Sequence, residues 1–268
     1  MAKERILFIN QEITPYLSAT PVSALGRFLP VSMQEKGFEV RTFMPRFGNV
    51  NERRNQLHEV IRLSGININI DDNDHPLVIK VASLQPSRIQ VYFIDNDDYF
   101  QKLETDTDPS GANREDNDER AIFFSRGTME TAKKLRWDPK VIHCSGWICS
   151  LLPLYIKKLY NDDPSFKNSK IVYSIQPVKG MAPIDPNIFT KLKAEGIQPK
   201  DLKKYSSETL DVNLLHKIGV DFSNGVIIND PEINPSLLEY IKESGKPYLM
   251  AQEMELDAQK YLDFYNSL

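Results

Sequence analysis

The 268-residue chain is poor in cysteine, with only Cys144 and Cys149. Two thiols cannot build a disulfide framework, and they lack zinc-ligand spacing, so they read as small buried hydrophobes. Histidine is scarce too. His58 and His75 lie in polar stretches without ligand spacing and His216 in a helical one, so no metal is expected. No apolar run approaches the roughly 20 residues of a membrane helix, which argues against a membrane protein. The first apolar run follows Lys3, Glu4 and Arg5 but has only a strand's length and no small-residue cleavage site, so the expected location is cytoplasmic. An excess of basic residues is also missing. Lys and Arg number 33 against 37 Asp and Glu, a net charge of −4, and a nucleic-acid partner is not expected. There is no glycine-rich loop of the P-loop or dinucleotide type, which argues against a kinase or a nicotinamide enzyme and leaves no cofactor to expect. Internal repeats and low-complexity segments are absent.

What is present is ordinary globular composition organised around its first βα unit. Residues 6–9 form a short β-rich run bounded by polar residues, which reads as a fully buried strand. Val22, Leu25, Leu29, Val31 and Met33 then follow a helical apolar pattern, and a second strand over 38–44 ends at Pro45. Strand, helix, parallel strand opens a doubly wound domain, in which ligands bind beyond the carboxyl ends of the strands. Residues 12–24 are therefore expected to carry a functional loop.

Further along, 60–70, 77–82 and 89–94 read as β segments, with turns at 71–76 and 85–88. They form a β-rich insertion over 59–94 whose last strand is long enough to rejoin the main sheet. Acidic runs at 71–74, 95–98 and 104–119 read as solvated loops. Helices are expected over 97–103, 117–135, 146–160, 212–218, 235–241 and 256–268. Strands are expected over 140–144, 170–175, 225–229 and 247–251, and a Pro- and Lys-rich stretch with short helices over 176–210. The fold class is α/β: one Rossmann-like domain over 1–268, a mostly parallel sheet with helices on both faces and a small antiparallel insertion.

Several separated motifs then carry a resemblance. Val91-Tyr92-Phe93-Ile94-Asp95-Asn96 precedes Tyr99-Phe100. Asp116-Asn117-Asp118-Glu119-Arg120 precedes Phe123-Phe124-Ser125-Arg126, and Trp137-Asp138-Pro139 leads into Val141-Ile142-His143-Cys144. With residues 6–48 and 215–230, these resemble, in order, the N-terminal domain of glycogen synthases and starch synthases. Those are retaining glucosyltransferases of the two-Rossmann-domain, GT-B type. The resemblance implies glucose transfer from ADP-glucose to an α-1,4-glucan, with ADP-glucose and α-glucan as partners. It also implies a second domain holding most of the sugar nucleotide, for which 268 residues leave no room, so the donor domain is expected to be absent.

The departures from the family pattern fall on its chemistry. Where the family carries Lys-Thr-Gly-Gly-Leu, with the Lys near the donor phosphates, this chain has Ser18-Ala19-Thr20-Pro21-Val22. The cation is gone, both glycines have gained side chains, and Pro21 lacks an N–H, whereas anion binding at a helix start needs free amides. The family's His-Cys-His-Asp-Trp-His reads His143-Cys144-Ser145-Gly146-Trp147-Ile148, so Ile148 replaces a His near the transferred glucose. Gln176 replaces another family His.

No residue is thereby assigned as catalytic. Ser18 and Ile148 mark degenerate positions, and the retained His143 is either a site residue or a hydrogen-bonded core histidine. Substrate contacts are expected from Glu12, Asp116, Asn117, Arg120 and Trp147. Each has a structural alternative: Glu12 in holding its loop, Asp116 or Asn117 in helix capping, Trp147 in core or interdomain packing. The expected function is a glycosyltransferase-like domain inactive alone, with a glucan-binding or regulatory role. The alternatives are an active half working with a separate donor-domain chain, or a protein-interaction domain whose partner docks on the open cleft face. Residues 256–268 could cover that face from within.

Overall fold

The computed structural model describes residues 3–105, 107–252 and 256–268. Asp106, within the acidic stretch 104–119, lies outside them. The chain opens with β1 (Arg5–Asn10), α1 (Pro21–Glu35) and β2 (Glu39–Pro45). β3 (His58–Glu59), β4 (Ile66–Ile70), β5 (Asn73–Leu84) and β6 (Ile89–Asp95) follow. Then come α2 (Asp97–Phe100), α3 (Asn117–Lys134), β7 (Val141–Ser145), a 3₁₀ turn Trp147–Cys149 and α4 (Leu152–Lys158). β8 (Lys170–Ile175) leads into α5 (Ile188–Ala194) and α6 (Pro199–Leu202). α7 (Val212–Phe222), β9 (Gly225–Ile228), α8 (Pro235–Glu243), β10 (Tyr248–Met250) and α9 (Ala258–Ser267) complete the chain.

The strands form one sheet in the order β10-β9-β8-β7-β1-β2-β6-β5-β3, with β4 paired to β5. Every pairing from β10 to β6 is parallel, and β5 runs antiparallel to its neighbours. β7, all of whose residues are buried, and β1, buried from Ile6 onward, lie at its centre, as strands covered on both faces must. The helices divide into two layers. α1 packs with α9, while α3 packs on α4, α4 on α7 and α7 on α8. Right-handed crossovers explain the division, because the chain moves outward from β1 to β2 and β6 and later returns past β1 to β7 and beyond.

Local differences from the sequence reading have physical causes. The turn expected over 71–76 contracts to Asp71 and Asp72, both at positive φ (51° and 61°), with Ile70 facing Asn73 across the hairpin. Two acidic residues in the left-handed region make a two-residue hairpin turn, and the strand restarts at once. Pro76 is tolerated inside β5 because β6 pairs only from Val78 onward, so no ladder bond is asked of its nitrogen. The stretch 60–65 is turn rather than strand. The helix expected over 146–160 divides into the 3₁₀ turn and α4, with Pro153 in α4's first turn. The terminal helix packs back on the domain, with Tyr261, Phe264 and Tyr265 buried.

Candidate site at the carboxyl edge of the sheet

Strand order reverses between β1 and β7, so the ligand crevice of such a sheet lies beyond their carboxyl ends. The residues there are Gln11, Glu12, Gly146 and Trp147. The Gln11 amide N–H donates to the Ser145 carbonyl (3.0 Å), and its side-chain oxygen accepts from the Trp147 amide (3.1 Å). Gly146 has φ +97°, and a Cβ there would sit 2.5 Å from Gln11 Oε1, so only glycine lets the two loops close over each other. The centre of the crevice is thus filled by the chain's own amide groups.

The start of α1 is satisfied in the same way. Thr20 caps it by accepting from the Ser23 amide (3.0 Å), Ser23 Oγ accepts from the Thr20 amide (2.9 Å), and Pro21 has no N–H to offer. Thr20 Oγ1 also donates to Glu12 Oε2 (3.0 Å), while Gln11 Nε2 donates to Glu12 Oε1 (2.9 Å). Glu12 is buried, and burial raises its carboxyl pKa against those two hydrogen bonds, with Asp108 adding to the rise. The helix start therefore faces an internal carboxylate, held close because Gly26 lets α1 approach the Glu12 carbonyl, where a Cβ would lie 2.1 Å away. Ser18 is exposed on the loop before the cap, and its carbonyl accepts from Ser23 Oγ (2.9 Å).

A groove of about 750 Å³ opens beside this loop, lined by residues 14–19, by Asn49, Asn51, Arg54 and Asn55 from the loop after β2, and by Glu104. Asn49 ties two of its walls together, donating to the Glu104 carbonyl (2.7 Å) and accepting from the Glu104 amide (2.8 Å).

Three of the sequence candidates meet behind this groove. Arg120 is fully buried at the start of α3 without a carboxylate on its guanidinium. Its nitrogens donate to the carbonyls of Ser110 (2.7 Å), Gly111 (2.9 Å) and Tyr99 (3.2 Å) and to Asn117 Oδ1 (2.8 Å). Burial lowers its pKa to about 10. Asn117 donates to the Ala112 carbonyl (2.7 Å). Trp147 is buried, places its ring 5.6 Å from the Arg120 guanidinium and donates to Ser110 Oγ (3.3 Å). The three hold loop 108–114 against the 3₁₀ turn. Asp116 occupies the cap position of α3 but makes no side-chain cap bond and pairs instead with Arg114 (2.9 Å to Nε), so neither Asp116 nor Asn117 caps in the expected way.

His143 lies within the core rather than on the rim. Nδ1 meets Tyr265 Oη at 2.6 Å and Nε2 meets Ser174 Oγ at 2.6 Å, and burial depresses its pKa to about 3, so the ring is neutral. Ile148 is fully buried in the 3₁₀ turn. Gln176 links the next two strand ends by donating to Ser145 Oγ (2.9 Å) and Asn229 Oδ1 (3.1 Å), and Asn229 donates to Tyr261 Oη on α9 (2.6 Å). Gln11, Ser110, Asn229 and Arg54 escaped the sequence reading because their roles rest on partners distant in sequence, such as Trp147 for Gln11 and Ser110, or on a groove formed by separate loops. Among the described residues no group of three or more His, Cys, Asp or Glu could hold a metal ion, and no helix is long and apolar enough to cross a membrane.

A doubly wound sheet with its crevice at the β1–β7 switch point, and a helix start aimed at it, defines a Rossmann-type domain of the kind from which two-domain glycosyltransferases are built. Residues 5–245 match the family described as the starch synthase catalytic domain, and the chain belongs to that family. It is a glycogen/starch-synthase-like glycosyltransferase domain. It is 36% identical over 252 residues to a glycogen synthase of Chlorobaculum tepidum, covering 90% of this chain and 51% of that protein. It is also 36% identical over 197 residues to a glycogen synthase of Chlorobium limicola, covering 72% and 40%. The chain thus spans about half the length, or less, of these relatives. Its fold matches the catalytic domain of starch synthase IV from Arabidopsis thaliana, solved bound to ADP and acarbose. The TM-score is 0.73 at 16% identity, over 92% of this chain and 51% of that one.

Proposed function

We propose that this domain binds α-glucan along the groove beside the β1–α1 loop and does not by itself transfer glucose from ADP-glucose. The observation that carries the reading is the start of α1, where Thr20, Ser23 and Pro21 leave little for a diphosphate and Glu12 sets a carboxylate against it. Retaining glucosyl transfer requires preorganised positive groups on the leaving diphosphate, and Ser18 supplies none. The large groove on the same rim, where asparagine side chains stand among apolar ones, is the part of the site still open to a carbohydrate chain. Glu12, Asp116, Asn117, Arg120 and Trp147 act on the glucan by fixing the groove's walls and the loop over Trp147.

The test is glucose incorporation from ADP-glucose into glycogen by the purified chain, with glucan co-sedimentation on the same sample. Retention without incorporation is the expected result, and incorporation by the chain alone overturns the reading. A second reading is favoured by an apolar crevice of about 510 Å³ beyond β8 to β10, lined by Pro21, Leu25, Pro177, Pro231, Leu256 and Tyr261. There a protein partner, such as a separate donor-domain chain, docks and completes the site; transfer that appears only on adding that chain supports it.

A further inference from the structure

A second groove, of about 490 Å³, adjoins the groove described above and shares Pro15, Tyr16, Arg54 and Asn55 with it; it is formed by the β1–α1 loop, residues 54–58 and the end of β5. Arg54, His58, Tyr16 and Ser83 are among its lining residues, and no carboxylate lines it. In a chain with net charge −4 that is a local reversal of sign. Among the described residues the Arg54 guanidinium makes no hydrogen bond or ion pair; its backbone N–H donates to Asn51 Oδ1 (2.9 Å). Arg27 stands behind the same wall. It donates to the carbonyls of Gln85 (2.6 Å) and Thr14 (3.5 Å) and meets no carboxylate. Tyr16 is only 5% exposed, and its hydroxyl is buried without a hydrogen-bond partner. Burial pushes that phenol up to about 12 while the nearby Arg27 charge pulls the other way, so it stays a donor.

We propose that this groove binds a phosphomonoester dianion, received by Arg54, with Arg27 adding charge from behind and the Tyr16 and Ser83 hydroxyls as neutral donors. Two guanidinium groups without a carboxylate leave a double positive charge to be met. A guanidinium fork matches phosphate oxygens in pairs, and the tetrahedral anion has oxygens left for the hydroxyls. A carboxylate would be satisfied by Arg54 alone. The unpartnered tyrosine hydroxyl is the second mark of a missing acceptor, because buried polar groups are normally paired. The groove shares Pro15, Tyr16, Arg54 and Asn55 with the one assigned to glucan, but the phosphate reading rests on charge and does not require glucan to bind there.

The experiment is an NMR titration of the full chain with inorganic phosphate at constant ionic strength, following the amides of residues 14–17, 54–58 and 82–85. Glucose 1-phosphate is the second probe and glucose the neutral control. Saturable shifts confined to those residues are expected with both anions and none with glucose. Tighter binding of glucose 1-phosphate would make the source a phosphorylated sugar, and equal binding would make it phosphate itself; either supports the site. Arg54→Gln, at an exposed position, should weaken binding about tenfold, about 1.4 kcal/mol. Tyr16→Phe keeps the ring against Phe93 and should weaken it about threefold without lowering thermal stability. Absence of saturable shifts, or equal binding by Arg54→Gln, overturns the proposal. Glucan co-sedimentation is read on the unsubstituted chain alone, because Tyr16 and Arg54 line that groove too, so the phosphate titration and the glucan reading fail independently.

Discussion

Two walls of the same rim handle charge in opposite ways. On the wall built from residues 11–20, 108–120 and 143–147, the charged and polar groups nearest the crevice turn inward and are engaged within the chain: Glu12 with Gln11 and Thr20, Arg120 with four oxygens, His143 with Tyr265 and Ser174. On the wall built from residues 49–58 and the end of β5, the Arg54 side chain stands without a partner among the described residues. The difference separates structure from function in arginines that composition treats as equal. A buried guanidinium is costly unless its nitrogens are hydrogen-bonded, and each of Arg120's is, so Arg120 is committed to its loop. An exposed one costs little without partners and stays available to a ligand.

The strongest way to break this contrast is Arg120→Leu. It leaves the buried carbonyls of Tyr99, Ser110 and Gly111 without a donor, and a loss of about 4 kcal/mol in urea denaturation is expected. A loss under about 1 kcal/mol would mean that the inner wall is not held as described.

Next in size is the acid limb of stability. Burial lowers the His143 pKa from 6.5 to about 3, so between those values the unfolded chain binds a proton that the folded chain refuses. Stability therefore falls as pH drops through that window, by up to about 1.4 kcal/mol per pH unit. His143→Gln should flatten this part of the curve, measured as the slope of unfolding free energy against pH. An unchanged slope would show that the ring is not the neutral, enclosed group described.

Reopening the inner wall gives a smaller effect on stability and a larger one on binding. Thr20→Gly with Pro21→Gly restores an amide and removes the cap, at a cost of about 1 kcal/mol. Calorimetry should show ADP affinity rising about tenfold. If ADP binding does not change, the closed loop is not what limits it. The smallest effect is expected on the outer wall, where Arg54→Gln should change stability by less than about 0.5 kcal/mol, since the side chain holds nothing in place. A larger loss would remove the contrast between the walls.

Much of this was legible in the linear chain. The buried run at Ile6 to Ile9, the helical spacing after it, and the Lys170–Ile175 segment, buried from Ile171 onward, pointed to a parallel α/β sheet, because periodicity and flanking polarity depend only on neighbours. Ser18, Thr20 and Pro21 raised the expectation of a first loop without a cation and with one amide donor fewer than the family pattern, since residue type alone decides both. The two-residue hairpin at Asp71-Asp72 was harder to place, because its boundary rests on backbone angles that a run of acidic residues does not announce.

The composition and order of the chain thus determined its fold class and its family. Only the tertiary structure decided where each retained group points. Arg120, Asn117 and Trp147 are drawn together under one loop, His143 is sealed beneath α9, and Glu12 is turned on the start of α1. The same holds for the outer groove. Whether Arg27 and Arg54 meet a carboxylate or stand free depends on which loops the sheet order brings side by side, a long-range fact that no local sequence pattern encodes.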